Sequence, residues 1–160
     1  MDITAVPLLF PADANVIVGQ SHFIKTAEDI AEIVVTTVPG AKFGLAFCEA
    51  SGPCLIRTEG NDDALIAAAV ANAQAVGAGH VFVLLLVGAY PINVLPAIKA
   101  CQEVAHVFCA TANPLQILVA ENEQGRGVVG VIDGSGPKGV EDAEAKATRR
   151  EFLRRIGYKR

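Results

Sequence analysis

The chain has 160 residues, enough for one domain with a real core, and over half of them are apolar with only 19% charged, which excludes a disordered protein. The net charge of −4 conceals a split: residues 146–160 hold seven of the 13 cations, so the rest of the chain sets six cations against 16 acids. That acidic body would repel a polyanion. The basic tail therefore reads as a solvated helix docking on its own body or on a neighbouring subunit, not as a nucleic-acid footprint.

There is no internal repeat and no linker, so residues 1–160 form a single domain. Residues 3–10 and 15–20 read as strands separated by Pro11-Ala12-Asp13. Thr26-Ala27-Glu28-Asp29 resembles a capping box opening a helix that stops at Pro39-Gly40. Strand-like segments follow at 42–48 and 54–59, joined by the small-residue loop Ala50-Ser51-Gly52-Pro53. Asn61 is placed to cap an alanine-rich helix over 62–76, which Gly77 and Gly79 end.

Val81–Val87 is an unbroken apolar run, suited to a central strand buried on both faces. A bilayer-spanning helix needs roughly 20 apolar residues, so this run predicts no membrane span. Pro91 opens a helix near 91–103. Strands follow at 105–110, 115–121 and 127–133, then the basic helix from about 140 to 156. Strands and helices partly alternate, with strand pairs near both ends. This predicts an α/β (or α+β) domain with a mixed β-sheet and helices packed on it.

The N-terminus lacks a secretion-signal pattern, and Cys48, Cys54, Cys101 and Cys109 form no C-x-x-C pair. They read as buried free thiols in a reducing, cytoplasmic setting. No phosphate-loop, kinase or metal-ligand spacing is present. Gly125-Arg126-Gly127-Val128-Val129-Gly130 has the letters of a dinucleotide fingerprint, yet it runs on into a strand and turn where the fingerprint needs a helix.

Four loops carry the candidate chemistry. Gly19–Lys25 joins a strand end to a helix start and holds His22 three residues from Lys25. Free N–H groups at such a start attract phosphate, and an imidazole there can act as base or phosphoryl acceptor. Glu49 and Ser51 occupy a strand-to-strand loop, with Arg57 and Glu59 close enough in sequence to pair. Thr111 and Asn113 lie at a strand end, where α/β folds bind ligands. Residues 125–139 hold six of the 15 glycines and end on Ser135 and Lys138, a composition suited to an anion nest. His80 and His106 read as structural histidines.

Taken in this order, the segments VIVGQSHFIKT (16–26), FGLAFCEASGP (43–53), GAGHVFV (77–83), YPINVL (90–95), CATANP (109–114), Gly125 through Gly139 and REFLRRIGYK (150–159) resemble the adenosine-specific kinase family over essentially the whole chain. The resemblance implies an α/β subunit in a homo-oligomer, a trimer or hexamer. It also implies adenosine or AMP as ligand, with no nucleic acid and no membrane partner. Finally it implies a histidine carried in a phosphorylated state, assigned to His22 because the family's histidine loop matches VGQSHFIK, although His80 also lies in a family-like segment. On this reading adenosine sits among Glu49, Ser51, Thr111 and Asn113. His22 accepts or relays a phosphoryl group held by Lys25, Ser135, Lys138 and the glycine-rich backbone. No cofactor is demanded; Glu49 or Asp133 would hold a magnesium ion if one took part, and the phosphate donor is not evident. A non-catalytic adenosine or AMP sensor and a purely structural oligomer are the rival readings.

Overall fold

The computed structural model describes residues 2–160. The elements run β1 (Asp2–Pro7), β2 (Asn15–Ser21), α1 (Thr26–Thr37), β3 (Lys42–Cys48), β4 (Ile56–Gly60), α2 (Asp63–Val76), β5 (Val81–Val87), α3 (Pro91–Ala100), β6 (Val104–Thr111), β7 (Leu115–Asn122), β8 (Gly125–Asp133) and α4 (Ala143–Arg155). This is the expected single α/β unit, but the strands divide into two sheets, ordered β4-β3-β5-β2-β6 and β1-β7-β8. Every pairing in both is antiparallel. β5 is the central strand of the larger sheet, as its unbroken apolar run requires.

The larger sheet is covered on both faces. Alternate residues separate into two cores, because side chains of a strand point to opposite faces in turn. Val16, Val18, Val83 and Leu85 face α2 and the smaller sheet. Ile17, Phe47, Phe82 and Leu84 face α1 and α3. Residues such as Phe47 and Phe82 are wholly buried, each contributing roughly 2–3 kcal/mol of apolar burial. α2 lies unusually close to β3. A β-carbon at Gly44 would stand 2.2 Å from the Leu65 carbonyl carbon, so only glycine permits the approach.

Two cap expectations change. Thr26 does not cap α1; the N-cap is Lys25, without a side-chain bond. The Thr26 hydroxyl instead donates to the Phe23 carbonyl and meets the Ser21 hydroxyl. The cap of α2 is Asp62, which accepts the Leu65 N–H at 3.1 Å. Asn61 is drawn away because it bridges to the start of β3, accepting the Phe43 N–H at 2.8 Å and donating to Ala41 at 2.9 Å. Gly77 ends α2 at φ 61°, as expected. The cysteines are all free, but Cys54 is exposed on the β3–β4 loop and only Cys48 is buried. The basic helix α4 has no buried residue. Among the described residues no helix is long and apolar enough to cross a membrane.

Candidate functional site

One end of the larger sheet gathers the histidine loop. The His80 N–H donates to the Cys48 carbonyl at 2.7 Å, the Ser21 N–H to the His80 carbonyl at 2.9 Å, and the His22 N–H to the Glu103 carbonyl at 3.0 Å. These bonds tie together the ends of β3 and β2 and the starts of β5 and β6. His22 is exposed and its ring stacks on exposed Phe23 with centroids 6.3 Å apart. The N–H groups of Phe23, Ile24 and Lys25, which follow it into α1, have no acceptor among the described residues. Successive free N–H groups at a helix start are donors that suit an anion.

His80 sits at the same sheet end. Its φ of 61° is left-handed, a conformation that costs a non-glycine residue about 1–3 kcal/mol. Its ring stacks on Phe47, centroids 5.9 Å apart, which holds it toward the α1–α3 face. His106 lies exposed on edge strand β6 against Phe108.

Lys25 is committed in part. It donates to Asp29 one turn along α1 and stands 3.7 Å from the Glu103 carboxylate. The Asp29 bond holds the ammonium above its ordinary range. Glu103 is 1% exposed, and neither of its carboxylate oxygens has a hydrogen-bond partner. Cys101, two residues before it, completes a group in which one ligand atom from each of Asp29, Cys101 and Glu103 lies within 4.8 Å of the others. Burial, with the neighbouring Glu103 and Asp29 carboxylates, pushes the Cys101 thiol up to about 11. Sequence reasoning missed this group because its members come from α1 and the α3–β6 turn; only Cys101-x-Glu103 is local.

Glu49 and Ser51 belong to the loop after β3. The Glu49 carboxylate accepts the Leu55 N–H at 3.1 Å and is clasped by Arg57 at 3.1 and 3.2 Å, so Arg57 pairs with Glu49 and not with Glu59. The Leu55 N–H first, and Arg57 after it, hold Glu49 below the usual carboxylate range. Glu49 lines a cavity of about 690 Å³ between this loop, the end of α2 and the β7–β8 hairpin, shared with Gly79, Arg126 and Gly127. That volume suits a small ligand. Arg126 donates to the Ala75 and Val76 carbonyls at 3.1 and 3.2 Å, so its charge serves the negative end of α2.

The remaining candidates lie elsewhere. Thr111 is opposite Val16 in the β2–β6 pairing, whereas β2 runs on to Ser21 before His22. At 3.3 Å per strand residue, Thr111 and His22 stand roughly 20 Å apart along the sheet. The Thr111 hydroxyl and the Asn113 amide both donate to Asp133 Oδ1, at 2.8 and 3.0 Å, which pins the β6–β7 turn to the end of β8. Ser135 and Lys138 follow β8 in an exposed loop at this second end. In one copy the His22–Lys25 loop and the Glu49 loop lie at one end of the larger sheet, and Thr111, Asn113, Ser135 and Lys138 lie at the other. One copy does not join the two groups.

The sequence model described as adenosine specific kinase matches residues 6–159. The chain belongs to the adenosine-specific kinase family. The crystal structure of the PH1918 protein from Pyrococcus horikoshii OT3 is similar over 99% of this chain and 98% of that one, with 47% identity and a TM-score of 0.95. No curated protein matches significantly. Membership of the adenosine-specific kinase family agrees with the resemblance carried by the segments spread along the chain, and it connects the chain to adenosine-related kinase chemistry.

Proposed function

We propose that this member of the family is an adenosine- or AMP-binding phosphotransferase in which His22 carries the phosphoryl group. The observation that carries the reading is the loop itself: an exposed imidazole followed by three unpaired N–H groups, those of Phe23, Ile24 and Lys25. An imidazole nitrogen would form an N–P bond as the donor's P–O bond breaks, the electron pair leaving on the donor oxygen. Phosphoryl transfer depends mainly on positioning and on stabilising charge on the phosphoryl oxygens. The N–H groups supply that at no cost of reorganisation, and the two Lys25 protons not given to Asp29 add to it.

Adenosine has a natural place in the cavity beside Glu49, whose ionised carboxylate is suited to a ribose hydroxyl. Ser51 lies in the loop that forms the cavity's rim, and Gly79 lines its wall. The second group, Thr111, Asn113, Ser135 and Lys138, lies too far away to complete this site in one copy. A site using both groups is composite, with one copy presenting the histidine end and a neighbour presenting the Ser135–Lys138 loop. The unburied α4, which displays Phe152 and Ile156 at 46% and 42% exposure, supports assembly into a homo-oligomer. A cytoplasmic trimer or hexamer fits this reading.

Calorimetric titration of adenosine, AMP and guanosine, paired with intact-mass measurement after incubation with ATP or ADP, tests the proposal. Selective adenosine binding with a gain of one phosphate supports the phosphotransferase. Binding without transfer points to the sensor, and neither result leaves only a structural oligomer.

A further inference from the structure

We propose that Asp29, Cys101 and Glu103 form a binding site for a divalent cation of the zinc class. Glu103 gives the strongest reason. A carboxyl group that is 1% exposed, with neither oxygen in a hydrogen bond of normal geometry among the described residues, is costly, because it has lost water without gaining placed donors. Its neighbours within ligand distance are a second acid and a thiol, Asp29 and Cys101, and not a backbone or amide donor. Lys25 stands 3.7 Å away, beyond hydrogen-bond distance, and gives its short contact to Asp29 instead. Ser21 and His22 bond only to the Glu103 backbone carbonyl, which leaves the side chain unserved.

What surrounds the carboxylate is a set of metal-ligand atoms. Asp29 offers oxygen from the first turn of α1, Cys101 offers sulfur from the residue that ends α3, and Glu103 offers oxygen from the approach to β6. Their mutual separations, all within 4.8 Å, can contract about a common ion by small side-chain rotations. Two carboxylates and a thiolate select the borderline-soft ions over magnesium or calcium, which prefer oxygen alone. Binding breaks the Cys101 S–H bond, forms an S–metal bond and releases one proton to solvent. Three protein ligands would leave a coordination position for water. In the metal-free protein Lys25 acts as the counter-ion and therefore as the competitor of the metal.

This site is independent of the phosphohistidine reading, because a cation can bind or fail to bind whatever His22 does. The test uses the untagged full chain, stripped with EDTA and titrated with Zn²⁺ and with Co²⁺ as a spectroscopic probe. One Zn²⁺ per chain is expected, together with a near-ultraviolet thiolate-to-cobalt charge-transfer band. Cys101→Ser should abolish the band and weaken Zn²⁺ binding by about tenfold or more, and Glu103→Gln should weaken it similarly. Cys54→Ser should change neither. Lys25→Met should tighten binding, because it removes the competing ammonium. If Glu103→Gln does not fold, the Cys101→Ser and Lys25→Met results decide alone. No stoichiometric binding by the wild type overturns the proposal. So does a cobalt band that persists in Cys101→Ser, or binding that Lys25→Met weakens.

Discussion

The backbone N–H of His22 donates to the carbonyl of Glu103 at 3.0 Å, so the exposed histidine hangs from the one buried acid among the described residues. The same carbonyl accepts the Ser21 hydroxyl at 2.9 Å, and that hydroxyl also meets Thr26. One peptide group thereby fixes the end of β2, the start of α1 and the turn into β6. This junction fixes the backbone from which the exposed imidazole and the free N–H groups of the next three residues project.

Removing the Ser21 hydroxyl should loosen the junction. Ser21→Ala leaves the fold intact but costs about 1–2 kcal/mol, because a buried hydrogen bond is lost while Thr26 keeps its bond to Phe23. Guanidinium unfolding measures the stability loss. Phosphate uptake at His22 should slow in the same variant with adenosine affinity nearly unchanged, since the cavity beside Glu49 is not touched.

The contact between α2 and β3 should be the least tolerant of added volume. Gly44→Ala would drive a methyl into the Leu65–Ile66 backbone and should destabilise the chain by about 3 kcal/mol or more. Gly40→Ala meets nothing within 4 Å and should stay within about 0.5 kcal/mol of wild type. Equal effects in thermal unfolding would contradict this packing.

Glu49 gives a pH dependence of known sign. Its folded carboxyl is held below the ordinary value of 4.5 by the Leu55 N–H and Arg57. Its contribution is therefore present above that value and is lost as pH falls through the lower, folded one. Melting temperatures of wild type and Glu49→Gln should differ most near neutral pH and converge in acid. A gap that widened on acidification would refute the assignment.

Thiol labelling should separate the cysteines. Cys54 is exposed, whereas burial raises the Cys48 thiol and pushes Cys109 up to about 11. The thiolate is the reactive form, so maleimide at neutral pH should modify Cys54 first. Peptide mapping should show this fast phase vanish in Cys54→Ser. Fast labelling of Cys109 in native protein would contradict the burial.

Most of the fold was legible because its signals are local. Val81–Val87 announced a doubly buried strand by hydrophobicity alone, and Gly77 announced the end of α2. The division into two antiparallel sheets was not legible, since strand pairing depends on long-range contacts that one strand's residues do not encode. Asn61 and Thr26 misled because both are good cap residues that bonded elsewhere: Asn61 bridges to the start of β3, and Thr26 turns back to Phe23 and Ser21 in the loop before the helix. At the site, the histidine loop was readable from residue order. That Thr111 and Lys138 lie at the far end of the sheet was not, because β6 carries the chain away over its whole length. Glu103 gave no signal at all, as an acid beside a helix end looks solvated until the fold closes over it.

Whether His22 carries phosphate is decided by site-resolved mass spectrometry. Wild type, His22→Ala and His80→Ala are incubated with ATP or ADP, kept alkaline to preserve any phosphohistidine, and mapped by peptide. One phosphate is expected on the peptide containing His22 in wild type and His80→Ala, and none in His22→Ala. A phosphate that remains in His22→Ala, or that maps to His80, would contradict that role for His22.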